Sequence, residues 1–302
     1  MPTLYIYAGQ EELEEIEKNR GYLVVKSNQI IQKARYALDL AEQKTIAYIC
    51  AKIKPAEMEN SPYVTEYSFD IREYCKTCGI DYDSGGNYAY VKSILKGLRD
   101  KSMWITLDDG SEVLVGWLSK VRTNKGKGTV YIKLDEDLLP YLFGLKQQFT
   151  QYELIDVLTM RSAYSIRLYE LLKSYSGAYS DKKTRITFDP DELKRLLFVE
   201  EVPSYKSFGN FWQKCIEPAL KEIYDLTPLS VTYELLKEGR GNKVTKVTFE
   251  MYHKTLTGRL RSSGEALERL EQQTKIKGLE DMPESPVALS EPKKRGKKKS
   301  EH

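Results

Sequence analysis

The sequence predicts an α+β chain of two tandem winged-helix domains related by internal duplication, followed by a disordered basic tail. Three observations carry that expectation. One series of elements (helix, strand, capped short helix, long helix, basic hairpin) is legible twice along the chain. Each of the two hairpins turns through a tip rich in glycine, lysine and arginine, at 122–128 and at 237–243. The closing residues lose apolar periodicity and gain prolines and a lysine run, a composition that cannot bury a core.

In chain order, residues 1–20 form an acidic arm, and order begins near Gly21 with a short extended stretch at 22–25. The first domain spans 21–150. Asp39 and Glu42 have capping-box spacing, and Ile46, Ile49, Cys50 and Ile53 recur at helical intervals, which predicts a helix over about 40–54 that stops at Pro55. Residues 63–69 are strand-like. Asp70 and Glu73 cap a short helix ending near Gly79, and a turn through Asp81, Ser84, Gly85 and Gly86 leads into a longer helix at 88–101. Its buried stripe is Val91, Ile94, Leu95 and Leu98. Asp109-Gly110 turns a hairpin on which Val113, Val115 and Trp117 alternate. After the basic tip, Val130, Ile132 and Leu134 complete the same sheet. Residues 135–150 read as a helical connector interrupted by Pro140 and Gly144.

The second domain spans 151–254. A helix running to Tyr175 places Tyr164, Leu168, Leu171, Leu172 and Tyr175 on one face, while Arg161, Arg167 and Lys173 mostly leave it. A strand at 186–188 leads to Asp189-Pro190-Asp191-Glu192, which offers an N-cap, a proline at the first helical position and an acid at the third. The long helix at about 207–226 buries Phe208, Trp212, Cys215, Ile216, Ala219 and Ile223. Pro218 inside it predicts a kink or a split, because proline lacks an N–H and crowds the preceding turn. Leu229, Val231 and Tyr233 alternate into the second basic tip, and Val247, Phe249 and Met251 alternate out of it. The remainder, 255–302, is expected to be a mostly disordered tail with a short helix at 263–273 and a basic run at 293–299.

Composition narrows the function classes. A chain of 302 residues, 41% hydrophobic and 11% aromatic, suits about two globular domains. Its net charge is only +3, with pI about 8.4, so the distribution of charge rather than its total must reveal any polyanion partner. No apolar run can span a bilayer, and the glutamates of the first twenty residues do not make a secretion signal, so a cytoplasmic protein without a membrane partner is expected. Four cysteines are too few for a disulfide framework. Cys75 and Cys78 form C-x-x-C, but Cys50 and Cys215 fall on apolar helix faces and the two histidines are His253 and His302. Core thiols, and no metal, are the reading. Neither Gly85-Gly86 nor the glycines at 126–128 fit a phosphate loop. No histidine pair could hold a nicking enzyme's metal, and the carboxylates are spread over caps and exposed faces. Neither cofactor nor catalysis is expected.

The basic residues are better placed for a function. On the first long helix Tyr88, Tyr90, Lys92, Lys96 and Arg99 face outward; on the second, Lys206, Asn210, Gln213, Lys214 and Lys221 do. Asparagine and glutamine can pair bidentately with adenine, and lysine with guanine or phosphate, if the N-terminal half of the second helix enters a major groove. Lys125 and Lys127 on one tip, and Lys237, Arg240 and Lys243 on the other, would then lie along phosphates. Four basic elements in two equivalent places point to double-stranded DNA.

The stretch Ser165-Ile166-Arg167-Leu168-Tyr169-Glu170-Leu171-Leu172-Lys173 resembles the signature helix of plasmid replication initiator (Rep) proteins, the tandem winged-helix, iteron-binding family. The resemblance covers roughly residues 23–252. It includes Glu42-Gln43-Lys44, Gly85-Gly86-Asn87-Tyr88, Leu98-Arg99-Asp100-Lys101-Ser102, Phe149-Thr150-Gln151-Tyr152 and Pro218-Ala219-Leu220-Lys221-Glu222-Ile223. It implies binding of directly repeated origin sites, recruitment of the host replicative helicase and initiation proteins for theta replication, and a monomer–dimer equilibrium in which the dimer represses its own gene. It also implies that the main base reading falls on Lys206, Asn210, Gln213 and Lys214, although Trp212 and Gln213 stand where many relatives are arginine-rich. Two other functions remain open: a winged-helix transcriptional repressor with no replication role, and a DNA-processing enzyme.

Overall fold

The computed structural model describes residues 21–58, 65–80, 86–124, 126–176 and 183–275. The acidic arm, Asp81, Ser84, Gly85, Lys125 and the 293–299 run lie outside the described residues.

Strand β1 (Leu23–Ser27) leads into α1 (Asn28–Lys33), β2 (Ala34–Arg35) and α2 (Leu40–Met58). The capping box forms at the start of α2: Asp39 Oδ1 accepts from the Glu42 N–H at 2.8 Å, and Glu42 Oε2 accepts from the Asp39 N–H at 2.8 Å. The helix does not stop at Pro55 but continues to Met58. Proline's fixed φ is itself helical, so near a helix end it removes one hydrogen bond without forcing a break. Then come β3 (Glu66–Asp70), α3 (Ile71–Cys78) and α4 (Gly86–Asp100). Asp70 caps α3 by accepting from the Arg72 and Glu73 N–H groups, and Gly79, at φ 65°, closes it in the left-handed region where a side chain would crowd. Val91, Ile94, Leu95 and Leu98 are all buried, as the stripe on α4 requires.

The strands that follow are β4 (Ser102–Thr106), β5 (Glu112–Gly116), β6 (Leu118–Asn124) and β7 (Thr129–Leu134). They do not make one sheet. One antiparallel sheet has the order β2-β4-β5 and the other β3-β7-β6. The chain changes sheet at Trp117, which is buried edge-on against Tyr36 with ring centroids 5.1 Å apart. A 3-10 helix at Glu136–Tyr141 accommodates Pro140. The connector ends in a strand that periodicity did not reveal, β8 (Phe149–Glu153), which pairs antiparallel with β1 from Leu23↔Glu153 to Ser27↔Phe149.

A short helix α5 (Ile155–Leu158) and a separate α6 (Ala163–Tyr175) replace the single helix expected from 151. Next come β9 (Thr184–Phe188), α7 (Pro190–Leu196), α8 (Phe208–Phe211), a π-helical segment (Trp212–Ile216), α9 (Glu217–Leu226), β10 (Leu229–Glu238) and β11 (Lys243–His253). Pro190 starts α7 as expected, but Asp189 makes no side-chain cap bond; its carboxylate instead accepts from Lys246 Nζ of β11 at 2.9 Å. The duplication is plain in the topology. In the first unit β3 pairs with the second hairpin strand β7, and in the second unit β9 pairs with the second hairpin strand β11.

The helix expected at 263–273 is longer, α10 (Leu256–Lys275), and belongs to the body. Ser262, Ala266 and Leu270 are buried, α10 packs on α9 and α5, and Arg269 pairs with Asp225 at 3.2 Å.

Helix α6 lies at the centre, with Ser165 to Leu172 buried on every side. Arg167 therefore does not leave the apolar face. It is 2% exposed and donates to Tyr36 Oη, Ile31 O and Leu196 O at 2.9, 2.6 and 3.0 Å. Glu170 is equally buried; it pairs with Lys26 of β1 at 2.6 Å and accepts from the Tyr152 hydroxyl of β8. Burial alone would lower the Lys26 pKa, but the attraction of Glu170 prevails and holds it above the usual range. Removing one member of such a pair strands a buried charge. Glu170→Ala should lower stability in urea unfolding by about 3–5 kcal/mol, and Lys26→Met with Glu170→Leu should recover most of the loss.

Asp156 of α5 accepts from the Tyr169 hydroxyl at 2.7 Å, and burial pushes its carboxyl up from 3.8 to about 7. A carboxyl raised in the folded state contributes stability fully below the unfolded value and loses it as pH rises through the folded one. The urea midpoint should therefore fall between about pH 4 and about pH 7 and level off above it, and Asp156→Asn should flatten that fall.

Candidate nucleic-acid interface

Each unit presents a long helix beside a hairpin. In the first, packing of the α4 stripe turns Tyr90, Lys92, Lys96 and Arg99 outward, all exposed. Tyr88 is half-buried: its hydroxyl donates to Thr123 Oγ1 of β6 at 2.9 Å, and Lys92 Nζ lies 5.6 Å from its ring centroid. It docks the helix on the hairpin. Lys96 forms an i,i+4 ion pair with Asp100, whose carboxyl is held below its ordinary range by that hydrogen bond. Between α4 and β6 runs a groove of about 660 Å³ lined by Lys92, Lys96, Arg99 and Lys120.

Lys120 belongs to a pair that the sequence reading missed. Arg122 reads as a turn residue in the sequence, yet it and Lys120 are both exposed on strand β6, with the Arg122 guanidinium 4.5 Å from the Tyr131 ring centroid. The available signal was period-two spacing: Lys120, Arg122 and Asn124 share one face of the strand. The turn itself is short. Gly128 at φ 64° closes it, and its carbonyl accepts from the Ile71 N–H at 2.9 Å. Lys127 is exposed at the tip.

In the second unit the expected helix is a composite. Pro218 has no N–H for the carbonyl four residues back, and the chain widens into a π segment just before it, so that the helical path continues into α9. Lys206, Asn210, Gln213 and Lys214 are exposed along one continuous side. Further along, the same side carries Glu217, and Lys221 is paired with Asp225 at 2.8 Å. Positive charge is thus concentrated in the N-terminal half. Trp212 points the other way: it is 7% exposed, stacked near Phe208 and edge-on to Tyr233 of β10 at 4.6 Å. It fastens helix to hairpin. The tip places Lys237, Arg240 and Lys243 in solvent around Gly239 and Asn242, both at positive φ.

Among the described residues, Lys92, Arg99, Lys120, Lys127, Lys206, Lys214, Lys237, Arg240 and Lys243 form no ion pair. Lysines and arginines without an acidic neighbour leave their field available to an external anion. The cysteines do not contribute: all four are buried, and burial pushes Cys75 and Cys215 up to about 12 and Cys50 up to about 11.

Comparison with known proteins agrees with this arrangement. Residues 23–173 match the first winged-helix family model described as "Initiator Replication protein, WH1", and residues 190–251 match the second, "Initiator Rep protein, WH2". A replication initiation protein of Escherichia coli is 25% identical over 231 residues, covering 76% of this chain and 69% of that protein. An uncharacterized 27.6 kDa protein of Escherichia coli is 30% identical over 124 residues, 41% of this chain and 49% of the relative. The PI protein of Escherichia coli is 28% identical over 134 residues, covering 41% of this chain and 44% of its own length. The chain thus spans about half the length of two of these relatives. The crystal structure of Pi initiator protein in complex with iteron DNA shares the fold, with a TM-score of 0.60 at 19% identity over 78% of this chain and 98% of that one. With both winged-helix models matched in order across the two units, the chain belongs to the replication initiator protein family.

Proposed function

We propose that this protein is a non-catalytic, DNA-binding initiator of plasmid replication that recognises repeated double-stranded sites with both units. The observation that carries the reading is the recurrence, in two topologically equivalent places, of an exposed helix face beside a hairpin whose tip cations form no ion pair among the described residues. Family membership and the shared fold with an initiator bound to iteron DNA support it. In this reading Asn210, Gln213, Lys206 and Lys214 read base edges. Tyr90, Lys92, Lys96 and Arg99 engage the second groove, with Tyr88 and Lys221 at the margins. Lys120, Arg122, Lys125, Lys127, Lys237, Arg240 and Lys243 hold phosphates.

The same reading takes the working molecule to be cytoplasmic and in monomer–dimer equilibrium, the dimer repressing its own gene and the monomer cooperating with the host replicative helicase and initiation proteins. No helix among the described residues is long and apolar enough to cross a membrane.

Footprinting on the DNA flanking the gene at two salt concentrations tests the function. Regularly spaced protected repeats, weakening steeply as salt rises through counterion release, are expected. A single palindromic site at the promoter would instead indicate a repressor, and metal-dependent nicking by the pure protein an enzyme. Two double variants separate the roles of the side chains. Asn210→Ala with Lys214→Ala should erase the preference for a repeat over scrambled DNA. Lys120→Ala with Arg122→Ala should weaken both DNAs alike and reduce the salt slope by about two.

A further inference from the structure

Phe198 follows α7 at φ 58°. Its N–H donates to Arg195 O at 3.0 Å and the Val199 N–H to Lys194 O at 3.0 Å, the paired closure that ends many helices at a left-handed residue. Glycine is favoured there, because a side chain crowds the backbone in that region. The phenylalanine ring has a partner that accounts for its presence. The Arg167 guanidinium lies 4.7 Å from the Phe198 centroid and 5.0 Å from that of Tyr36, and the two rings are 5.4 Å apart. Ile31 and Tyr36, which accept from Arg167, belong to the first unit; Leu196, which also accepts, belongs to the second. Arg35 pairs with Glu200 alongside.

We propose that Arg167, packed against the adjoining rings of Tyr36 and Phe198, is a positioning residue that fixes the two units relative to each other and so sets the spacing of the two half-sites in the repeat that the protein accepts. The proposal rests on the DNA-binding reading above. Two modules held rigidly gain joint affinity only where both sites are in register, whereas loosened modules tolerate other spacings at lower affinity.

The test uses the full chain with spin labels at Glu112→Cys and Thr232→Cys, exposed positions on β5 and β10. It compares wild type with Arg167→Met and with Phe198→Gly, a change that suits the helix closure but removes the ring. The wild type should give one narrow distance distribution, and both variants a broader or shifted one. On repeats carrying zero, one or two base pairs inserted between the halves, the wild type should lose roughly tenfold or more in affinity on insertion, while each variant stays within about twofold across the three. Unchanged distances and unchanged spacing preference, with only a lower urea midpoint, would overturn the proposal and leave Arg167 a core-stabilising residue. A wild type that binds the repeats without spacing preference also overturns it but spares the DNA-binding reading. A wild type that binds no repeat defeats that reading together with the spacing role, and the distances alone then decide whether Arg167 fixes the units.

Discussion

Everything in this structure is built around a helix that buries charge. Helix α6 carries Arg167 and Glu170 into the interior, where an unpaired charge is costly, and each is satisfied by groups remote in sequence. Apolar contacts are non-directional and tolerate small slides. A planar guanidinium with three acceptors in fixed places does not. The helix is consequently anchored to β1 and β8 through Lys26 and Tyr152, to α1 through Ile31, and to α7 through Leu196. The two winged helices are the flanks of that anchored core.

From this centre the duplicated units carry their functional faces outward by the same device. An apolar stripe on the long helix packs inward and leaves the opposite side in solvent, and an aromatic residue joins helix to hairpin: Tyr88 through Thr123 in the first unit, Trp212 through Tyr233 in the second. Helix and hairpin are thereby packed directly against each other. The proposed function has their cations face a phosphate backbone that runs past a groove.

Much of this was legible in the sequence wherever the determinant was local. Asp39 with Glu42, and Asp70 with Glu73, announced helix starts that the hydrogen bonds reproduce, and Gly79 announced an end. The second basic hairpin, and the tip and returning strand of the first, were readable from alternation and turn residues, whereas β6 was not. The winged-helix series and the outward helix faces followed from them. What stayed hidden was set by distant partners. Arg167 looks like a surface residue until the carbonyl of Ile31 and the ring of Phe198 are brought to it. Strand β8 gains its conformation from β1, more than 120 residues earlier, and the sheet change at Trp117 depends on Tyr36. Helix α10 is announced only at 263–273, and its attachment to the body stayed hidden, since Ala266 and Leu270 matter only because α9 and α5 cover them.

Pro218 shows how a local rule can be right about its cause and incomplete about its result. The missing N–H does disturb the helix, but a π segment absorbs the disturbance and α9 continues in line. The exposed side thereby remains continuous from Lys206 to Lys221, and the sequence of charges along it becomes decisive. Lys206, Asn210, Gln213 and Lys214 come first, with no carboxylate pair among the described residues, whereas Glu217 and the Lys221–Asp225 pair follow the π turn. An acidic side chain repels phosphate, and a paired lysine must surrender one partner to gain another. In the proposed DNA-binding reading the second half of the helix is therefore the poorer ligand, and recognition would fall to the turns before Pro218, with the hairpin tips supplying the charge that the rest of the helix lacks.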